Sequence, residues 1–173
     1  MTHPAPTNAA RQDVFDRLDA LGVAHETFDH PAFFTVEEGR AHKLELPGGH
    51  SKNLFLKDKG GALFLAVAFA DTQVDLKALS KRVAKGRLSF GSPELLLKTL
   101  GVTPGSVTPF ALLNDQKIAV NVILDHALLR QDPIYFHPLE NTASTAVSPE
   151  GLLTFLRASG HDPLIVDLAR PLD

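Results

Sequence analysis

The chain has no cysteine, which excludes disulfides, thiolate catalysis and cysteine-ligated zinc together. No apolar run approaches the roughly 20 residues that a membrane span needs. The opening stretch, Met1-Thr2-His3-Pro4-Ala5-Pro6, has neither the basic nor the apolar region of an export signal. Residues 1–7 read as a disordered tail, and a cytoplasmic location away from membranes is expected. Positive charge is not in excess either: the net charge of −3 argues mildly against a nucleic-acid partner. What remains is ordinary. A length of 173 residues suits one domain with a real core, and 44% hydrophobic with 21% charged residues is the balance of a soluble globular protein.

Metal-ligand spacing is also missing. Eight histidines invite a search, but His25-Glu26 and His30 miss the HExxH pattern by one residue. Five residues of helix turn about 500°, leaving the two rings about 140° apart. Pro31 further disfavours helix at His30. No metal and no organic cofactor is expected. Covalent serine chemistry fares no better. Gly49-His50-Ser51-Lys52-Asn53 carries Asn53 where a nucleophile elbow needs glycine. Ser51 and Lys52 are neighbours, so in an extended segment they face opposite ways.

Pattern and punctuation predict the elements. A helix is expected over about Ala9 to Leu21, with Val14, Leu18 and Leu21 on one face and Gly22 closing it. A strand near His25 to Phe28 follows, then a short helix at the capping box Thr35-Val36-Glu37-Glu38. Lys52 to Lys57 and Ala62 to Phe69 flank Asp58-Lys59-Gly60-Gly61 as a hairpin. Leu76 to Val83 reads as helix. Ser92-Pro93-Glu94 and Ser148-Pro149-Glu150 start two more, with serine as cap and proline in the first turn. Phe110 to Leu113 and Ile118 to Leu124 are expected to pair across Asn114-Asp115-Gln116-Lys117. A helical turn at Asp125 to Leu129 leads to a strand at Ile134 to His137. The sum is an α+β single domain, a mixed and mainly antiparallel sheet with helices around it.

Chemistry concentrates in a few places. Lys52 enters an apolar strand, Leu54-Phe55-Leu56, and must either snorkel to water or point into a wet cleft. Pro104-Gly105 and Pro109 make a stiff turn around Ser106, Val107 and Thr108, with backbone N–H groups that can hold a carbonyl oxygen or a phosphate. His137 ends a strand before Pro138, and Tyr135, the chain's only tyrosine, shares its face by two-residue alternation. Lys77, Lys81, Arg82, Lys85 and Arg87 lie between Asp75 and Glu94 with no acid among them. That run is either a solvated helix face or a local phosphate-binding patch, since phosphate contacts depend on local field rather than net charge.

Four segments, Phe33-Phe34-Thr35-Val36-Glu37-Glu38, Ser51-Lys52-Asn53-Leu54-Phe55-Leu56-Lys57-Asp58, Gly105-Ser106-Val107-Thr108-Pro109 and Tyr135-Phe136-His137-Pro138-Leu139-Glu140-Asn141-Thr142-Ala143-Ser144, resemble the YbaK/prolyl-tRNA-synthetase-associated family of trans-editing deacylases. The alanyl-tRNA(Pro) branch, ProXp-ala, is the nearest in pattern. The resemblance runs from about Val14 to Asp167. It implies one editing domain over residues 8–170, built on a curved, barrel-like mixed sheet. It further implies hydrolysis of the ester between a wrong small amino acid and tRNA(Pro). Lys52, His137 and Gly105 would then be catalytic. Asn53, Ser106, Val107, Thr108, Pro109, Tyr135, Phe33, Phe34 and Thr35 would line the aminoacyl pocket. The five basic residues would grip the acceptor stem of tRNA, with prolyl-tRNA synthetase as a transient partner. Cysteinyl-tRNA(Pro), or another small residue, is the alternative substrate. A non-catalytic module binding tRNA or a synthetase is the alternative class.

Overall fold

The computed structural model describes residues 9–32, 38, 39, 41 and 46–173. The expected 1–7 tail, the capping box at Thr35, and Phe33 and Phe34 lie outside the described residues.

Helix α1 (Arg11–Ala20) buries Val14 and Leu18, and Gly22 follows it at φ 71°. Strand β1 (Glu26–Asp29) leads towards the central hairpin, β2 (Gly49–Lys57) and β3 (Leu63–Phe69). Asp58 makes that turn. Its carboxylate accepts N–H bonds from Ala62 at 2.9 Å and from Lys85 at 2.9 Å. The Lys85 bond above all holds Asp58 below the usual carboxylate range. One side chain thus ties the hairpin to the segment after helix α2 (Leu76–Val83). Strand β4 (Ser89–Phe90) and helix α3 (Pro93–Leu100) come next. Both serine caps form as read: Ser92 accepts from Leu95 N–H at 3.1 Å, and Ser148 from Gly151 N–H at 3.0 Å. The second starts α4 (Pro149–Ala158).

Phe110 to Leu113 is not a strand. It lies in a 3-10 helix, Pro109–Asn114, with Pro109 at its start and Thr108 Oγ1 accepting from Phe110 N–H at 3.3 Å. Proline fixes a helical φ, and a threonine cap satisfies a free donor; both local effects outweigh the apolar run. The following strand, β5 (Val120–Asp125), pairs with β3 in parallel instead. Buried Asp115 shapes the link between them. Its carboxylate takes N–H bonds from Ala119 and Val120 and a 2.9 Å contact with buried His161. Burial pushes its carboxyl up, and these hydrogen bonds more than offset it, leaving the group below its ordinary value.

A short 3-10 turn at Leu128–Arg130 leads to β6 (Ile134–Phe136), and β7 (Ala143–Val147) and β8 (Leu164–Val166) complete the sheet. The eight strands run in the order β1-β7-β6-β2-β3-β5-β8, with β4 attached to β2. Four pairings are antiparallel and three are parallel. The sheet curves without closing, because β1 and β8 do not meet.

Each face has its own core. One carries Phe55, Leu65, Val67, Ile134 and Phe136 against Phe110, Leu100 and α4. Phe110 meets Phe155 and Phe136 edge to face, at 5.2 and 5.7 Å between ring centres. The other face carries Leu56, Phe64, Ala66, Ala68 and Ile123 under Leu79 of α2. Burying one such Leu or Phe side chain contributes about 1.5–3 kcal/mol.

Candidate active site

Strand β2 changes neighbours part-way along. Gly49 and His50 pair with β6, while Leu56 and Lys57 pair with β4 on the same side. Between those contacts no strand among the described residues covers that edge; the opposite edge is paired with β3 from Ser51 to Lys57. Hydrogen-bond directions fix which groups face the gap. Gly49 N–H donates towards β6, to Pro133 O, and Phe55 O accepts from Gly91 N–H beside β4. His50 O points the other way and accepts from Ala70 N–H. Backbone direction alternates along a strand, so Asn53 turns its N–H and C=O into the gap. An uncovered edge of this kind must be satisfied by something other than a strand.

Glycines make this opening possible. Gly48 has φ 138°, and a Cβ there would lie 2.6 Å from Pro133 O and 2.9 Å from the Tyr135 ring. At Gly91 an added Cβ would run into the Phe55 ring. Glycine at these two positions therefore lets the chain approach Pro133, Tyr135 and Phe55 more closely than a side chain would allow.

Side chains around the gap separate by face. Ser51 and Asn53 point to the first core. The Ser51 hydroxyl donates to Tyr135 O at 2.7 Å, and Asn53 Nδ2 donates to Ser51 Oγ at 3.4 Å. Asn53 Oδ1 is buried and has no partner among the described residues. His50 and Lys52 point the opposite way. His50 sits across from Tyr135 with the rings stacked at 4.7 Å. The same parallel register, carried two residues on, sets Lys52 beside His137 on one face. Lys52 is half-buried and makes no hydrogen bond or ion pair with a described residue.

His137 has a definite protonation state. A ring nitrogen facing a carbonyl must donate, so Nδ1–H bonds Ala143 O at 2.9 Å. Burial pushes its pKa down, the Ala143 bond pushes partly back, and nearby His30 lowers it again; the net value lies below the ordinary one. The ring is therefore neutral at pH 7 and presents Nε2 as a bare acceptor. His30 stands 6.4 Å away, ring to ring, and its Nε2 meets Ser144 Oγ at 2.9 Å. Tyr135 acts differently. Its hydroxyl donates to Pro47 O at 2.8 Å, and burial keeps it protonated.

The glycine–proline loop borders the same region. Gly105 is exposed at φ 93°, and a Cβ there would stand 3.6 Å from Asn141 Nδ2, in the turn after His137. The loop's N–H groups are not all open, as the sequence suggested. Ser106 N–H donates to Thr103 O at 3.0 Å, and Ser106, Thr108 and Pro109 are buried. Gly105 and Val107 N–H make no hydrogen bond among the described residues.

The basic run divides. Lys77, Lys81 and Arg87 line a surface cavity of about 710 Å³ with Leu76, Ser80 and Leu88. Arg82 turns aside and donates to Pro171 O at 2.7 Å. Lys85 lies over the hairpin turn at Gly60. Helix α2 covers the sheet face that carries Lys52, so the cavity and Lys52 share one side of the molecule.

The sequence profile of the family described as "Aminoacyl-tRNA editing domain" matches residues 30–155. The chain belongs to that family. The matched span of this editing domain includes Lys52, Asn53, the basic run, Gly105 to Pro109, Tyr135 and His137. It is 42% identical over 156 residues to the Prolyl-tRNA synthetase associated domain-containing protein 1 of Bos taurus, covering 87% of this chain and 91% of that one. It is 35% identical over 160 residues to the prolyl-tRNA editing protein ProX of Acetoanaerobium sticklandii, covering 92% and 98%. Its fold matches a crystal structure provisionally described as a trans-editing enzyme for prolyl tRNA synthetase. That match has a TM-score of 0.68 at 20% identity over 96% of this chain and 98% of the other.

Two features escaped the sequence reading. His30 enters beside His137, although it was weighed only as a metal ligand. His50 lies against Tyr135, although it was named only within the segment weighed as a nucleophile elbow. The alternation Glu26, Phe28, His30 was the available signal for the first.

Proposed function

We propose that this editing domain is a free-standing hydrolase that removes a small amino acid, alanine first, from mischarged tRNA(Pro) in the cytoplasm. The observation that carries the reading is the uncovered edge of β2, where Lys52 and a neutral His137 share one face and Asn53 offers backbone groups. Relatives named for prolyl-tRNA editing and for association with prolyl-tRNA synthetase supply the tRNA. The sieve has a physical need. A synthetase pocket sized for proline rejects a smaller residue poorly, because a missing methylene is worth only about 1–3 kcal/mol. The Lys-Asn-Leu-Phe-Leu-Lys-Asp and Tyr-Phe-His-Pro-Leu strings favour alanine over cysteine as the amino acid removed.

An aminoacyl ester is already activated, so the site has mainly to orient it and to stabilise charge. Water adds to the carbonyl carbon and gives a tetrahedral oxyanion. The ester C–O bond then breaks, one proton of the attacking water passes to the ribose oxygen and the other to solvent, and the amino acid leaves as its carboxylate. Lys52 places positive charge at the ester or the terminal phosphate. His137 Nε2 accepts a hydrogen bond from the attacking water or from the substrate's ammonium group. The open N–H groups of Gly105 and Val107 hold the carbonyl or amino end, and the Tyr135 ring walls the pocket. Lys77, Lys81 and Arg87 hold phosphates of the acceptor stem.

Purified protein incubated with alanyl-, cysteinyl- and prolyl-tRNA(Pro) tests this. Release of alanine without release of proline is the expected result. Preferential release of cysteine would move the specificity, and protection of all three esters would make the chain a binding module.

A further inference from the structure

Phe90 is the most exposed large apolar residue of the described chain, at 61%, and neither core uses it. Its place is not random. In the β2–β4 ladder Phe90 lies directly opposite Leu56, so it stands on the sheet face that also carries Leu54 and Lys52. Lys52 is four residues along β2 from that point, about 13 Å away. Leu88 precedes Phe90 by two residues in the same extended segment and lines the cavity that Lys77, Lys81 and Arg87 surround. One face of the molecule thus presents, in order, a basic cavity, an exposed aromatic ring, the half-buried Leu54 and the reactive gap.

We propose that Phe90 is a stacking platform for a nucleobase in the single-stranded 3′ end of the tRNA. This rests on the function proposed above and adds a recognition residue to it. Single-stranded nucleic acid is held by two things together: cations that follow the phosphates and aromatic faces on which bases stack. Here both occur on one side of the chain that would carry the ester. The cations beside the ring select a polyanion over an apolar protein partner. An exposed phenylalanine has no structural reason to be aromatic, since Phe90 packs against neither core. Stacking gives it one, and tolerates any base, because every base has a π-face.

The test measures binding of a short single-stranded RNA ending in CCA, labelled at its 5′ end, to the full chain by fluorescence anisotropy. Stacking is worth about 1–3 kcal/mol per base, which is roughly a 5- to 150-fold change in Kd. Phe90→Ala should therefore weaken binding at least about fivefold. Phe90→Trp should restore it. Phe90→Leu, equally apolar but without a π-face, should not. Leu97→Ala, which removes another exposed apolar side chain (49% exposed) on α3, is the control and should bind as wild type does. The same Phe90 variants should raise KM on charged tRNA by more than they lower kcat. Unchanged Kd in both Phe90→Ala and Phe90→Leu, with RNA still bound, overturns the inference and leaves the hydrolase reading standing. Absence of RNA binding by the wild type also overturns it. Lack of turnover on charged tRNA with RNA binding that depends on Phe90 would sink the hydrolase reading alone. Thermal melting of each variant verifies folding, which an exposed side chain is not expected to disturb.

Discussion

The middle and the C-terminal end of β2 belong to one strand and stand in opposite surroundings. At its C-terminal end, Phe55 and Leu56 are covered on both sides, and strands pair on both edges. At its middle, Lys52 and Asn53 are only half-buried, and one edge has no strand among the described residues. Both stretches lie in one ladder with β3 and share one register. What separates them is the reach of β6 and β4, which stop short of each other. A site here is less a motif than a place where pairing fails on schedule, with polar groups left for a substrate.

Comparing the sensitivities of the two stretches is the strongest test of that contrast. Lys52→Ala should reduce deacylation by at least about a hundredfold, since it removes charge at the reacting ester. Its melting temperature should stay close to wild type, because a half-exposed cation stabilises a fold little. Leu56→Ala, on the same face, should do the reverse and cost about 2–5 kcal/mol of stability in denaturant titration. Full activity in Lys52→Ala would reduce Lys52 to a snorkelling residue.

A smaller effect is expected in the loop. Gly105→Ala places a side chain at φ 93°, a conformation that costs about 1 kcal/mol or more, and should lower kcat several-fold. Ser106→Ala should change kcat less, because the contacts are assigned to the backbone N–H groups of Gly105 and Val107 and not to the Ser106 hydroxyl. Trapping of an acyl group on Ser106 would reverse that order.

Salt probes the flank of the site. Apparent affinity for charged tRNA should fall as salt rises, with a log–log slope near 0.7–0.9 per phosphate held. Replacing Lys77, Lys81 and Arg87 together should flatten that slope and raise KM, with kcat changed little. Arg82→Ala should leave the slope as it is, since its guanidinium is engaged with Pro171 O. An unchanged slope in the triple variant would place the tRNA elsewhere.

The mildest effect concerns pH. His137 has a folded pKa below its unfolded value near 6.5. Its contribution to stability is present above about pH 6.5 and is lost as pH falls through the folded value. Asp115 and Asp58 are also lowered, so their contributions hold above about pH 4 and vanish below it. Melting temperature against pH should show two separate declines. His137→Asn should remove the first and keep the second; two declines in that variant would mean another group titrates there.

Local chemistry was legible in the sequence where it was sufficient. Ser92-Pro93 and Ser148-Pro149 predicted helix starts because capping is decided within four residues. Asp58 to Gly61 predicted a hairpin for the same reason. Phe110 to Leu113 misled, since an apolar run does not reveal whether it will be strand or helix, and the Thr108-Pro109 cap decided it. Strands β4, β7 and β8 went unread, being short and paired with distant segments. The open edge of β2 depends on β6 and β4, which lie far along the chain, so no window of sequence could show it. Lys52 and His137 were singled out by an apolar setting and a strand end, and given roles by family resemblance, while their adjacency came only from register.

Counting itself becomes a requirement of the chemistry. Successive residues of a strand look to opposite sides, so a slip of β2 against β3 by one position would send Lys52 to the face that carries Phe55 and Asn53 to the face that carries Leu56. It would also swing the free backbone groups of Asn53 towards β3 and close the gap. The turn at Asp58 to Gly61, anchored by one carboxylate to two segments, therefore acts as the ruler for a reaction it never touches. Lengthening that turn by a single residue would leave much of the fold's composition intact and erase the candidate site's frame of reference.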